Sequence, residues 1–220
     1  MGSSLLKKFL MALSAVFLLV FLTQHLLINI TSVFPDQGKT FNMLSHFMGY
    51  NPIVQYVLQP VLMGGVIFHF LMGFILEFQN RSARGAQNYI MQKQSNKSSW
   101  SSRNMIISGM VILSFLILHL IDFWVYEINY KYIKYGVMDE SRYFGHLQHQ
   151  FSGNLLRVGS YVVSFIFLGL HLSHGFSSAF QSMGLRNKYY SAIVAAGNIY
   201  AILIPFGYVF IAFFHFFSTV

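Results

Sequence analysis

MIISGMVILSFLILHLIDFWVYEI, running from Met105 to Ile128, decides the fold: it holds no Asp, Glu, Lys or Arg before Asp122 and one imidazole, His119. A membrane-crossing helix needs about 20 largely apolar residues, and an ionisable side chain inside one is costly enough to mark a function. The stretch therefore reads as a span built around His119.

Working outward, four more segments have the same character, so that apolar runs fall near residues 9–33, 53–79, 105–128, 155–180 and 190–217. The expected fold is all-α, a single-domain integral membrane bundle of five transmembrane helices covering residues 1–220. Composition agrees, with 55% hydrophobic and only 9% charged residues, more apolar surface than a soluble chain of 220 residues can hide. The first segment follows Lys7 and Lys8 as a signal peptide does, but it is long, carries His25 and lacks a small-residue cleavage site, so it counts as a span.

Fourteen Lys and Arg residues divide unevenly between the two ends. Lys7, Lys8, Arg81, Arg84, Lys93, Lys97, Arg103, Arg186 and Lys188 fall on one side; Lys39, Lys131, Lys134, Arg142 and Arg157 fall on the other. The positive-inside rule puts the N-terminus in the cytoplasm and the C-terminus outside. The net charge of +8 is thereby explained without nucleic acid.

His25, His69, His119 and His171 each lie in a different one of the first four segments, 44, 50 and 52 residues apart. Counting 1.5 Å per residue from the basic anchors puts His25 and His119 roughly 25 Å from the inner boundary, His69 roughly 18 Å and His171 roughly 22 Å. Two levels result, pairing His25 with His119 and His69 with His171. Such pairs suit two haems stacked through the bilayer to carry electrons. With no cysteine, covalent haem attachment and a thiolate-held cluster on this chain are excluded, so any haem is b-type with axial histidines. Gly73 and Gly175 follow His69 and His171 by four residues, on the same helix face, where a missing side chain admits a flat ring. His174 lies three residues after His171, and spacing alone does not choose between them.

The stretches Thr23-Gln24-His25-Leu26, Phe41-Asn42, Ser45-His46-Phe47-Met48, His69 to Gly73, Ser98-Ser99-Trp100-Ser101-Ser102-Arg103-Asn104-Met105, His119-Leu120-Ile121-Asp122-Phe123-Trp124 and His171-Leu172-Ser173-His174-Gly175-Phe176 follow one another in an order that resembles a known family. It is the cytochrome b558-type, single-chain dihaem membrane anchor of bacterial succinate:quinone oxidoreductase. The resemblance implies two haem b groups on His25, His69, His119 and His171, with His174 a neighbour that bonds a propionate or backbone. It implies a quinone, expected to be menaquinone, a flavoprotein and an iron–sulfur subunit as partners, and the bacterial cytoplasmic membrane as location. Complexes of this kind also associate into higher oligomers. The chain itself holds no succinate site: it lacks a dinucleotide-binding glycine pattern and a cysteine cluster. Some fumarate-reducing relatives carry a glutamate two residues before the fourth-helix ligand, where this chain has Gly169.

Quinone candidates are Asn42, His46 and Tyr50 before the second span and Gln24 beside His25, all at the outer end. Propionate candidates are Arg157 on that side, near Asn154, His146 and His149, and Arg81, Arg103 and His174 on the inner side. Asp122 either orients His119 or a quinone, or snorkels to the interface. In the fifth segment Pro205 is expected to kink the helix, the phenylalanines from Phe210 to Phe217 to face lipid, and His215 to be interfacial. Two competing readings remain: the haem b subunit of a hydrogenase or formate dehydrogenase, and a haem-free proton-coupled transporter, against which stand the few carboxylates and the lack of broken-helix repeats.

Overall fold

The computed structural model describes residues 4–84 and 105–218, which form seven helices and, among those residues, no strand. Five are long and apolar enough to cross a membrane, over Leu5–Val33, Val54–Ser82, Met105–Ile133, Leu155–Ser182 and Tyr190–Phe217. We label the helices α1 (Ser4–Ile30), α2 (Lys39–Tyr50), α3 (Gln59–Arg84), α4 (Met105–His119), α5 (Arg142–Phe151), α6 (Leu155–Ser182) and α7 (Tyr190–Phe217). The third span outruns its expected end at residue 128. Beyond His119 it continues through a wide turn at Leu120–Val125, one α-turn at Tyr126–Ile128 and a second wide turn at Asn129–Ile133. Wide turns of this kind recur at functional sites, and Asp122 lies in the first.

α2 and α5 are short helices in the two connections at the end opposite the N-terminus. Each begins where the sequence supplies a turn. Asp36 accepts from the Gly38 and Thr40 amides at 3.1 and 2.9 Å, and Gly38 takes φ 77°, a left-handed conformation that favours glycine. Asp139 accepts from the Ser141 amide at 2.8 Å just before α5. The two helices pack on each other, and the Asn42 side chain of α2 accepts from the Phe144 amide of α5 at 2.8 Å.

The main buried core joins α2, α5, α6 and α7 through residues such as Phe41, Phe151, Tyr161, Phe165, Ile204 and Tyr208. α6 and α7 approach closely because small residues face bulky ones: a Cβ on Gly197 would come 2.8 Å from the Phe176 ring. A Cβ on Gly169 would come 3.1 Å from the Ala201 carbonyl oxygen, the group whose helix partner Pro205 removes by lacking an N–H. α1 packs on α3, α6 and α7, and α4 on α6 and α3. The result is a four-helix arrangement of α1, α3, α4 and α6 with α7 on its flank. Outward along it point exposed apolar side chains such as Val20, Leu27, Ile67, Leu71, Ile117 and Ile166, a surface suited to lipid and not to water. Phe210, Phe213, Phe214 and Phe217 are exposed as expected, whereas Phe216 is half-buried and packs against the core. His215 is not interfacial: it is fully buried, because the turn after α1 folds Ser32 over it, with Ser32 Oγ 2.9 Å from Nε2.

Candidate cofactor site

All four span histidines turn inward from different helices, and they meet in two pairs. His25 of α1 and His119 of α4 have ring centroids 5.7 Å apart with planes at 89°. His69 of α3 and His171 of α6 have centroids 6.3 Å apart with planes at 65°. Metal–imidazole bonds run about 2 Å, so two rings ligating one ion from opposite sides stand with centroids roughly 6 Å apart. Both pairs therefore have the separation that a single bis-imidazole metal needs. His171, rather than His174, is the imidazole that α6 brings to His69.

Around the His69–His171 pair the bundle leaves a cavity of about 620 Å³ that extends along α1 from Lys8 to Leu22, roughly 20 Å at 1.5 Å per residue. Gly73, Gly109 and Gly175 line it beside the histidines. A Cβ on Gly109 would come 3.8 Å from His171 Cε1, so the missing side chain leaves one face of that ring open. The volume lies within the range of sites for cofactor-sized ligands, about 300–1,000 Å³. A tall, mostly apolar slot with imidazoles on both walls and glycines beside them fits a planar metal macrocycle. At its N-terminal mouth the polar lining includes Lys8, Asn80, His174, Ser178 and Ser182. Of the described inner propionate candidates, Arg81 and His174, only His174 lines this cavity. Arg81 is ion-paired to Glu77 at 2.6 Å, and Arg103 lies outside the described residues, as does most of the Ser98–Met105 run.

Each histidine of this pair also meets a serine hydroxyl at Nδ1. Ser14 Oγ stands 3.1 Å from His69 Nδ1, and Ser108 Oγ stands 3.1 Å from His171 Nδ1. At the second pair, Tyr161 OH stands 3.5 Å from His119 Nδ1, while Phe21 and Phe115 stack on His25 and His119 at 5.4 and 5.6 Å. Arg157 is an ion-pair partner of the buried Asp122, which is thus no snorkelling carboxylate. Sequence reasoning singles out none of Ser14, Ser108, Tyr161, Gly109 or the mouth position of Lys8.

At the end holding α2 and α5, Glu127 binds Lys131 at 2.7 Å and Arg142 at 2.6 Å, and Lys131 and Arg142 stack over Tyr50 and Tyr143 at 4.1 and 4.3 Å. Burial works against the Arg142 charge, but the Glu127 carboxylate outweighs it and raises the guanidinium pKa. The Tyr143 phenol is pushed up by burial first and by Glu127 next, so it stays protonated. His46 stacks on Tyr50 at 4.6 Å, its Nε2 lies 3.6 Å from Glu140, and its buried Nδ1 has no partner. Asn129 Oδ1 and Arg142 Nε in this region are likewise buried without partners. Of the four quinone candidates, His46 and Tyr50 share this polar cluster. Asn42 joins α2 to α5, and the exposed Gln24 donates from its side-chain amide to Met48 Sδ at 3.9 Å. No protein-family model, curated protein or solved structure matches the chain.

Proposed function

We propose that the chain is the dihaem b membrane anchor of a succinate:quinone oxidoreductase, passing electrons between an iron–sulfur subunit and membrane quinone. The observation that carries this reading is the meeting of four histidines, one from each of four spans, in two pairs with ring centroids 5.7 and 6.3 Å apart. Haem bound by such pairs supplies one-electron transfer without an open coordination position. His69 and His171 would hold one such group nearer the N-terminal end, where Lys8 and His174 line the cavity and would bond its carboxylates. His25 and His119 would hold the other.

The N-terminal end is assigned to the cytoplasm of a bacterial cell by the excess of basic residues there, and the flavoprotein and iron–sulfur partners dock on it. Quinone is assigned to the polar cluster of His46 and Tyr50, where the buried Nδ1 of His46 has no partner of its own and would bond a carbonyl or hydroxyl. The Gly169 position offers no alternative carboxylate, and α7 closes it.

A pyridine haemochrome assay on the complex purified through this chain tests the reading. Two haem b per chain, with a flavoprotein and an iron–sulfur subunit copurifying, is the expected result; no haem from cells supplied with haem would end it.

A further inference from the structure

We infer that Ser14 and Ser108 are a matched pair of positioning residues that lock the tautomer of His69 and His171, an assignment that rests on the dihaem reading. Both serines are buried, at 8% and 5% exposure, and each touches two acceptor-capable atoms. Ser14 Oγ lies 2.8 Å from the Met11 carbonyl oxygen, and Ser108 Oγ lies 2.9 Å from that of Met105. A carbonyl oxygen only accepts, and two oxygens approach this closely only with a proton between them. The one hydroxyl proton of each serine is therefore committed to the backbone. What remains on Oγ for the imidazole 3.1 Å away is a lone pair, so His69 and His171 each donate from Nδ1–H. Nε2 is then left unprotonated on both rings, the form that ligates a metal.

An apolar helix often satisfies a serine by back-bonding to its own carbonyl, and that alone would be ordinary. Here the same geometry occurs twice, against both members of one histidine pair. The two positions are also equivalent. Ser14 precedes His25 by eleven residues on α1, and Ser108 precedes His119 by eleven residues on α4. Eleven residues make three turns, so serine and histidine share a face about 16 Å apart. α1 and α4 thus serve both levels in the same way. Each supplies one imidazole to the upper pair and, three turns away, the oxygen that orients one imidazole of the lower pair.

A ligand whose Nδ1–H is bonded to an oxygen is the stronger electron donor, which favours the ferric state. Losing that bond raises the reduction potential of the haem concerned, by about 59 mV for each tenfold loss of ferric preference in a one-electron couple. The test is a potentiometric titration of the purified complex, with low-temperature electron paramagnetic resonance of both haems, on Ser14→Ala, Ser108→Ala, the double variant, Ser14→Thr and Ser108→Thr.

The expected result is that each alanine variant raises one midpoint and shifts one low-spin signal, the double variant more so, while the other haem serves as an unmoved control. The threonine variants, which keep the hydroxyl, return wild-type values. If an alanine variant loses one haem outright and its threonine counterpart keeps it, the assignment also stands. Loss in both, or two haems with wild-type midpoints and signals in both alanine variants, overturns it while leaving the dihaem reading intact. Absence of haem from the wild-type complex ends both.

Discussion

The Tyr161 hydroxyl donates to Asp122 Oδ2 across 2.7 Å, and the same oxygen stands 3.5 Å from His119 Nδ1. The phenol has one proton, and the carboxylate takes it, so toward His119 the oxygen acts only as an acceptor. Asp122 is nearly fully buried, and its other oxygen meets Arg157, three residues beyond the Asn154 cap of α6. The wide turn after His119 thus carries a charge that Arg157 of α6 neutralises and to which Tyr161 of α6 donates a hydrogen bond. The arrangement ties the end of the third span to the start of the fourth at the level of the upper histidine pair.

This pairing predicts strong non-additivity. Asp122→Ala strands a partly buried guanidinium and removes the acceptor of a buried phenol, and is expected to cost about 3 kcal/mol, the lower end for breaking a buried pair because Arg157 keeps some contact with solvent. Arg157→Ala strands the more deeply buried carboxylate. The double variant is expected to be more stable than the sum of the single losses by roughly 1–3 kcal/mol. Denaturant unfolding of the four proteins in one detergent measures it, and strict additivity would show that the two groups do not act as a pair.

Single replacement of the histidines separates the two levels. Alanine at His25 or His119 is expected to remove one haem and leave the His69–His171 site loaded; alanine at His69 or His171 does the reverse. His174→Ala retains both haems, since the imidazole facing His69 belongs to His171. Haem per chain by pyridine haemochrome, read beside the redox difference spectrum, decides the matter. One haem remaining in His174→Ala with two in His171→Ala would transfer the ligand role.

The cavity itself can be filled. A side chain at Gly109 is directed at His171 Cε1, 3.8 Å from where its Cβ would stand, whereas a Cβ at Gly64 meets nothing within 4 Å. Gly109→Leu is expected to lower haem content from two to one per chain, and Gly64→Leu to leave it at two. Equal haem in the two variants would place the ring elsewhere.

The histidine pairs could be read from the chain because an imidazole in an apolar run is conspicuous and helix rise converts its position into depth. The supporting oxygens could not be, since a serine in an apolar helix ordinarily satisfies itself, and the eleven-residue step from serine to histidine at 14 and 25 and at 108 and 119 occurs also at 160 and 171, where Ser160 bonds the Leu156 carbonyl. α2 and α5 escaped for a different reason. Their apolar faces are interrupted by Asn42, His46, His146 and His149, which read as connecting polar sequence until the two helices cover one another. His215 was legible as to helix but not as to burial, because its cover, Ser32, comes from the far side of the chain. Asp122 shows the same limit: its depth near a span end favours the interface, and only the approach of Arg157 and Tyr161 from another helix makes burial tolerable.

The α5 helix carries a pH-sensitive contact that a stability profile can isolate. His146 Nε2 lies 2.8 Å from the Asp122 carbonyl oxygen, which only accepts, so that nitrogen carries the proton in the neutral ring. The ring stacks on Tyr126 at 3.7 Å and 9°. Burial lowers its pKa below the ordinary 6.5, His149 and Arg142 add to the effect, and Glu127 opposes it. The unfolded chain takes up this proton near 6.5 and the folded chain only at lower pH. Between the two values the unfolded state binds more protons, so the contribution is complete above 6.5 and shrinks as pH falls toward the folded value. The slope from one group stays below about 1.4 kcal/mol per pH unit. His146→Gln keeps a donor for the Asp122 carbonyl and cannot titrate. The gap in unfolding free energy between wild type and His146→Gln is expected to be constant above pH 7 and to move against the wild type as pH falls below 6.5, when both are unfolded in the same detergent. Parallel profiles across that window would show that His146 takes its proton as readily in the folded protein as in the unfolded chain.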